Sequence, residues 1–222
     1  MLHRVLSVIA PHICCSCGAV GLVLCKSCFD DISEEVFSQC LKCLAPTFTG
    51  NLCKKCAKSV AYQEAYVVGS RQDSLKRLIN LYKFERTLSG AQTLAMLADT
   101  ILPILPPDTH VTFVPTISSH VRQRGYDHMS LLARELAKRR ALPQKQLLGR
   151  IGKNVQHGTD RKTRLTQQKG TFVVRDTIPE SPVLLIDDIY TTGATINEAV
   201  KTLRTQTTQP IIVLVIARQP LE

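Results

Sequence analysis

The 222-residue sequence predicts an α/β fold, in which a parallel sheet with flanking helices follows a small cysteine-rich module. Two observations support this prediction. From about residue 65 onward, apolar segments with the length of strands alternate with amphipathic segments of helical period, which is typical of a parallel sheet covered on both faces. All nine cysteines lie before residue 57, so the first part of the chain has its own composition. We therefore predict a metal-binding module over residues 1–60 and an α/β domain over residues 61–222.

Eight of the nine cysteines form four C-x-x-C pairs: Cys14/Cys17, Cys25/Cys28, Cys40/Cys43 and Cys53/Cys56. Two residues between cysteines form a tight knuckle that directs both sulfur atoms toward one tetrahedral Zn²⁺ ion. Cytosolic proteins seldom keep disulfides, and so short a segment contains few aliphatic residues for a core, so structural zinc is favoured. Pairs taken in chain order give two zinc ribbons with one ion each, although the spacing alone leaves a crossed arrangement open.

The α/β part follows a regular order of elements. Strand patterns occur at 65–69, 111–115, 170–174, 183–187 and 211–217, and helical patterns at 74–84, about 90–101, 129–140 and 195–204. In sheets of this kind, ligands bind beyond the carboxyl ends of the strands. We therefore expect the functional residues just after a strand, above all after 183–187.

The net charge of +10 is concentrated in one segment. Residues 118–170 contain thirteen Lys or Arg against three Asp or Glu, whereas the rest of the chain is balanced. A local surplus of this kind indicates an anionic partner, either phosphates on a small molecule or a nucleic-acid backbone. A solvated basic helix face around residues 138–140 accounts for part of it.

The sequence contains neither a membrane span nor a signal peptide. No apolar run reaches the roughly 20 residues that cross a bilayer. The first thirteen residues have only a short apolar patch and no small-residue cleavage site, so we expect a surface helix there. Together with the cysteine usage, this predicts a cytoplasmic protein.

The segment VLLIDDIYTTGAT (183–195) joins a buried strand pattern to a loop and a helix start. Backbone N–H groups at a helix start, with the helix dipole, favour a bound phosphate. Carboxylates only accept hydrogen bonds, so adjacent acids suit the hydroxyls of a sugar, with Mg²⁺ nearby. The predicted ligand-binding residues are Asp187, Asp188, Tyr190, Thr191, Thr192, Gly193, Ala194 and Thr195. An ATPase P-loop is excluded because no G-x-x-x-x-G-K-[ST] occurs, and an ordinary capped turn is the remaining alternative.

This segment resembles the phosphoribosyl pyrophosphate motif of type I phosphoribosyltransferases, with Ala194 where many members have a second glycine. VPTISSHVRQRGYDH (114–128) and RIGKNVQHGTDRKTRLTQQKGTF (150–172) are similar to signatures of the ComF family, which also has a four-pair cysteine module. Asp127 and His128 stand where the family has Asn and Gln. The resemblance implies a type I phosphoribosyltransferase-like sheet of about five strands, with ribose bound by the twin acids and the 5′-phosphate by residues 190–195.

Three arginines are the candidates for catalysis and for holding the diphosphate: Arg122, Arg124 and Arg164. Arg122 and Arg124 follow the strand pattern 111–115, and Arg164 lies in a basic segment without periodicity that we expect to close over a ligand. Lys83 is a weaker phosphate candidate, and His128 is expected to be a polar loop residue rather than a general base.

Two functions from different classes fit the sequence. ComF resemblance implies a competence protein of DNA uptake and natural transformation, with a phosphoribosyl pyrophosphate site, single-stranded DNA binding and DNA-uptake proteins as partners. The alternative is an active phosphoribosyltransferase that uses an unknown acceptor in nucleotide metabolism. The chain has no Trp and few other aromatic residues, so the sequence indicates no stacking platform for bases.

Overall fold

The computed structural model describes residues 12–48, 50–84, 88–151 and 171–220. In chain order, the elements in these ranges are β1 (His12–Ile13), β2 (Val20–Gly21), α1 (Lys26–Glu34), α2 (Lys54–Ala57), β3 (Glu64–Ser70), α3 (Asp73–Phe84), α4 (Leu88–Ile101), β4 (His110–Phe113), α5 (Ser118–Arg124), α6 (His128–Arg140), β5 (Leu148–Arg150), β6 (Phe172–Val174), β7 (Val183–Tyr190), α7 (Ala194–Arg204) and β8 (Ile211–Arg218). None of the helices in these ranges combines the length and the apolar character that a bilayer crossing requires.

A four-stranded parallel sheet in the order β3–β8–β7–β4 forms the centre of the protein. Strands β7 and β8 occupy the middle and are rich in buried Val, Leu and Ile, as expected for strands covered on both faces, while the last residues of β7 include Asp187 and Asp188. The predicted mixed α/β architecture is confirmed. Because the central strands are parallel, the carboxyl ends of β4 and β7 meet at one edge of the sheet.

The strand pattern 170–174 does not join this sheet. Its described part is β6, which pairs antiparallel with β5 in a separate two-stranded ribbon. Joining the main sheet as a parallel strand would require a crossover connection, whereas an antiparallel pair does not. β6 pairs with β5, which is the strand before it in the chain. The main sheet therefore has four strands among the described residues instead of about five.

Helices cover both faces of the sheet. Alternate side chains of β7 point to opposite layers, so Leu184 and Ile186 belong to one hydrophobic cluster and Val183 and Leu185 to the other. The first layer contains α3, α4 and α6, and the second contains α7. This arrangement matches the helical patterns predicted at 74–84, 90–101, 129–140 and 195–204.

The first cysteine module (residues 12–35) packs against α3 and α4. Val23 and Leu24 are buried in the same cluster as the apolar face of α3. Ser16 bonds to Ser74 at 2.6 Å between the hydroxyl oxygens, and Arg77 Nη1 donates to the Ser16 carbonyl at 3.0 Å. This module thus shares its core with the helical layer.

The second cysteine module (residues 36–60) packs against the outer strand β3. The backbone N–H of Asn51 donates to the Ala65 carbonyl at 2.8 Å, and the side-chain Oδ1 of Asn51 accepts from the Val67 backbone N–H at 2.8 Å. Leu41 is fully buried in the second cluster, and Arg218 Nε donates to its carbonyl at 2.9 Å. The division of the chain at residue 60 stays a prediction, because both modules share hydrophobic clusters with the sheet.

Candidate functional site

The eight paired cysteines form two groups of four. One group contains Cys14, Cys17, Cys25 and Cys28, and the other contains Cys40, Cys43, Cys53 and Cys56, with all sulfur atoms of a group within 4.8 Å of one another. The grouping therefore follows chain order and is not crossed. The Cys17–Cys25 and Cys43–Cys53 sulfurs are 3.6 and 3.7 Å apart. Tetrahedral Zn²⁺ with bonds of about 2.3 Å separates its sulfurs by about 3.8 Å, so each group could hold a structural zinc ion.

Backbone amides of the knuckles point at sulfur atoms. The Cys25 amide donates to Cys14 Sγ at 3.3 Å, and the Cys56 amide to Cys53 Sγ at 3.5 Å. Burial raises the pKa of Cys14, but the backbone hydrogen bonds outweigh it and bring the pKa down to about 6. Backbone hydrogen bonds thus favour the thiolate form, which binds metal, at Cys14 and also at Cys40, whose pKa falls to about 7 despite burial. Burial and the neighbouring cysteines instead raise the pKa of Cys56 to about 12.

The second candidate site lies where β7 ends and the 190–195 loop leads into α7. Thr191, Thr192 and Thr195 are exposed around the helix start. Within the described part of the chain, the amides of Thr191, Thr192 and Gly193 have no hydrogen-bond acceptor, while the Ala194 amide makes one long bond of 3.4 Å to Thr192 Oγ1. Open amides at a helix start are the donors that an anion requires.

Gly193 shapes this loop through its contact with Tyr190. Its φ of +81° is in the left-handed region, and a Cβ added there would lie 2.1 Å from the Tyr190 hydroxyl oxygen. Tyr190 is buried beneath the loop, and the Arg218 guanidinium lies 5.1 Å from the centre of its ring. The Tyr190 side chain therefore supports the loop from the protein interior, and its backbone begins the loop.

Asp188 is held by two cationic or donor groups. Lys83 Nζ, from the last turn of α3, lies 2.6 Å from Asp188 Oδ2, and His128 Nε2, from the start of α6, lies 2.8 Å from the same oxygen. Burial alone would raise the pKa of Asp188, but the His128 hydrogen bond and the Lys83 charge lower it well below its usual range. Asp188 is thus ionised at neutral pH.

Arg124 extends this network on the far side of His128. Its Nη1 lies 2.9 Å from His128 Nδ1, and its guanidinium stacks 5.4 Å from the centre of the Phe84 ring. A guanidinium only donates hydrogen bonds, so we assign Nδ1 as the acceptor and Nε2–H as the donor to Asp188. Gly125, at φ +78°, ends α5 and lets the chain turn from Arg124 back to His128.

Asp187 lies in different surroundings from its neighbour. Its side chain is 7% exposed, and its Oδ1 accepts the Asp188 amide at 3.0 Å. Burial, and then the charge of Asp188, raise the pKa of Asp187 well above its ordinary value. The charge of Arg150, which donates to the Pro115 carbonyl at 3.1 Å, opposes this rise in pKa without cancelling it.

The other predicted arginines differ in position. Arg122 is exposed on α5 and makes no described contact with either acid, and Arg164 lies outside the described residues. The structure instead brings Lys83, His128 and Arg150 to the acids. From the sequence, Lys83 is only a weaker phosphate candidate and His128 only a polar loop residue. The one sequence signal for a role at the acids is that each residue lies next to a motif.

Two surface cavities lie elsewhere in the described part of the chain. One of about 280 Å³ is lined by residues 50–52 and 63–66, and one of about 260 Å³ lies beside Ile104 and Arg140. Neither includes an acid of β7. Because Lys83 and His128 both contact Oδ2 of Asp188, a ligand at this acid would share the carboxylate with them.

Fold and site together define a class of protein: a parallel α/β sheet with an acid pair and a phosphate-type loop at one strand end, carrying two tetracysteine modules. No protein-family model matches the chain. It is 29% identical over 214 residues to Competence protein F of Haemophilus influenzae, covering 88% of this chain and 90% of that protein. It is also 25% identical over 190 residues to Competence protein ComFC of Bacillus subtilis, covering 81% and 77%. These relatives confirm the resemblance to the ComF family that the motifs predict.

Proposed function

We propose that the chain is a ComF-like competence protein that acts in DNA uptake and natural transformation, binding phosphoribosyl pyrophosphate and single-stranded DNA. The observation that carries the proposal is the similarity to two competence proteins over most of the chain. The competence role comes from the names of these relatives. The identity of the proposed small-molecule ligand is inferred from the motif at the end of β7 and from the surroundings of its two acids.

The 190–195 loop supports binding of a phosphate. Its free amides precede α7, a helix of 11 residues, so a phosphate at this position would gain both hydrogen bonds and the helix dipole. The exposed hydroxyls of Thr191, Thr192 and Thr195 add donors. This loop would hold the 5′-phosphate.

The acid pair supports binding of the ribose. Both contacts of Asp188 use Oδ2, so within the described residues its Oδ1 remains an acceptor, as does Oδ2 of Asp187. These oxygens would accept the ribose hydroxyls, and they are the hard ligands that Mg²⁺ prefers. Mg²⁺ would neutralise the diphosphate, and Lys83 and Arg124 would lie beside the same group.

A deletion in the natural host tests the competence role. Removal of the gene should abolish transformation by linear DNA while growth is unchanged, and the wild-type gene should restore it. An Asp187→Asn/Asp188→Asn chain that accumulates to the wild-type level with its full zinc content should not restore it. Normal transformation without the gene would contradict the competence role, and full rescue by the variant would contradict the need for the acid pair.

The second candidate is an active phosphoribosyltransferase. The observation that favours it is the group of cations at the acids, because Lys83 and Arg124 could stabilise a leaving pyrophosphate. Release of pyrophosphate from phosphoribosyl pyrophosphate, tested with nucleobases and amines as acceptors, separates the two functions. Binding without release indicates a ligand-sensing site, and acceptor-dependent release indicates an enzyme.

A further inference from the structure

The second cysteine module exposes one aromatic side chain completely. Phe48 lies on the connection between the two knuckles of this module, and its side chain is 102% exposed relative to an extended reference. It belongs to neither hydrophobic cluster. A buried phenylalanine ring would add a large apolar area to the core of so small a module, yet Phe48 is exposed to water. Both faces of its ring are therefore free to stack on another molecule.

The lysines of the same module have no acidic partners. Residues 36–60 contain four lysines and no Asp or Glu, and all four side chains are exposed: Lys42, Lys54, Lys55 and Lys58. Lys42 Nζ donates to Ser59 Oγ at 2.8 Å, which holds its ammonium group at the end of α2, next to Lys58. No ion pair among the described residues includes any of the four. Their charges are therefore available to an external anion.

The first cysteine module has the same metal-binding plan and the opposite charge. Residues 12–35 contain one lysine and four acidic residues, and that lysine, Lys26, pairs with Asp30 at 2.5 Å. A Zn²⁺ ion with four thiolates adds a formal charge of about −2 to each module, which still leaves the second one positive. Zinc binding does not account for this difference, so the basic character of the second module has another cause.

We propose that the second cysteine module binds single-stranded nucleic acid, with Phe48 stacked on a base and its lysines contacting the neighbouring phosphates. An exposed aromatic ring and unneutralised cations in one small module are the combination that binds single strands with little sequence preference. A duplex keeps its bases stacked on each other and offers only the phosphates. The inference rests on the proposed single-stranded DNA binding and names the surface that performs it.

The affinity of zinc-loaded full-length protein for a fluorescent oligodeoxythymidylate tests the role of the ring. Phe48→Ala should weaken binding about tenfold, because stacking contributes at that level for each base. Phe48→Trp should keep the wild-type affinity. Phe48→Leu keeps the apolar surface but lacks a π face, so it should bind as weakly as Phe48→Ala. Ile104→Ala is the matched control, because Ile104 is also fully exposed but lies far along the chain.

The dependence of affinity on salt tests the role of the lysines. The Lys54→Gln/Lys55→Gln/Lys58→Gln variant should lower the slope of log affinity against log salt by about two, because each phosphate contact on a single strand contributes about 0.7. Lys26→Gln, in the first module, should leave the slope unchanged. Both variants must retain the zinc content of the wild-type protein.

The outcomes separate this inference from the function on which it rests. If the wild-type protein binds no oligonucleotide, the proposed DNA binding itself is wrong. If it binds and the Phe48 and lysine variants bind equally well, DNA binding stands and another basic surface performs it. Full affinity of Phe48→Leu for the oligonucleotide, or an equal loss of duplex binding by Phe48→Ala, would contradict base stacking. Preferential binding of the full-length protein to phosphatidylserine vesicles would contradict nucleic acid as the ligand.

Discussion

The carboxylates of Asp187 and Asp188 are adjacent in sequence but occupy opposite electrostatic surroundings. Lys83 and His128 both contact Asp188 Oδ2, and they lower its pKa despite burial. Asp187 has burial and a neighbouring negative charge, which raise its pKa. One acid is therefore a fixed anion, whereas the other gains a proton easily, and a positive ligand group or Mg²⁺ would restore its charge.

The two acids should respond oppositely to substitution. Above the unfolded pKa of Asp, about 3.9, ionised Asp187 is less stable in the folded protein than in the unfolded chain. Asp187→Asn removes this cost, so it should raise the free energy of unfolding at pH 7. Asp188→Asn leaves the largely covered Lys83 ammonium without its counter-charge and should lower this free energy by about 3 kcal/mol. The Asp187 effect should vanish as the pH falls below about 3.9, because Asp187 is then protonated in the folded and the unfolded chain alike. The Asp188 effect should begin to decline there and be lost only as the pH falls through the lowered pKa of folded Asp188. Urea denaturation at pH 7 and about pH 3 measures this, and equal losses of stability in both variants at pH 7 would contradict it.

At the scale of elements, each cysteine module completes a surface of the α/β sheet. Asn51 bonds to the outer edge of β3 and Leu41 enters the second cluster, so the second module covers an edge strand that would otherwise be open. Open edges pair with other chains and promote aggregation. We therefore expect zinc in this module to stabilise the whole protein.

Loss of one zinc ligand tests this expectation. Cys43→Ser should lower the zinc content from two ions per chain to one. It should also lower the midpoint of thermal unfolding by at least about 6 °C, since each 1 kcal/mol lost from the free energy of unfolding corresponds to about 2–4 °C at this chain length. Cys17→Ser, at the equivalent exposed position of the first module, is the matched comparison. Only Cys43→Ser should also promote aggregation. A variant with one zinc and an unchanged midpoint would show that the module folds independently of the sheet.

The sequence predicted the elements whose own residues specify them. β7, α7 and β8 have long apolar runs or a clear helical period, and the cysteine spacing predicted both metal groups. It did not predict α5, which has no buried residue and therefore no apolar period, or β5, which has three residues. The contacts of Asp188 depend on α3 and α6, which reach β7 only through tertiary packing, so Lys83 and His128 were not recognised as its partners.

At the scale of the whole molecule, charge is divided among distinct surfaces. The acid pair and the free loop amides lie at one end of the sheet, the first cysteine module is acidic, and the second is basic. This division is consistent with two ligands bound at separate places, a phosphoribosyl compound at the sheet and a nucleic-acid strand at the second module. Binding of one ligand need not compete with binding of the other.

Calorimetric titration of phosphoribosyl pyrophosphate with Mg²⁺ tests the central proposal, that β7 and the 190–195 loop bind this ligand. Asp187→Asn is the sharpest variant because it should fold at least as stably as the wild-type protein, so lost binding would not reflect unfolding. Asp176→Asn, at an exposed acid, is the control. We expect the wild-type protein and Asp176→Asn to bind alike and Asp187→Asn to give no binding heat. Equal binding by all three proteins, or none by the wild-type protein, would contradict the proposal.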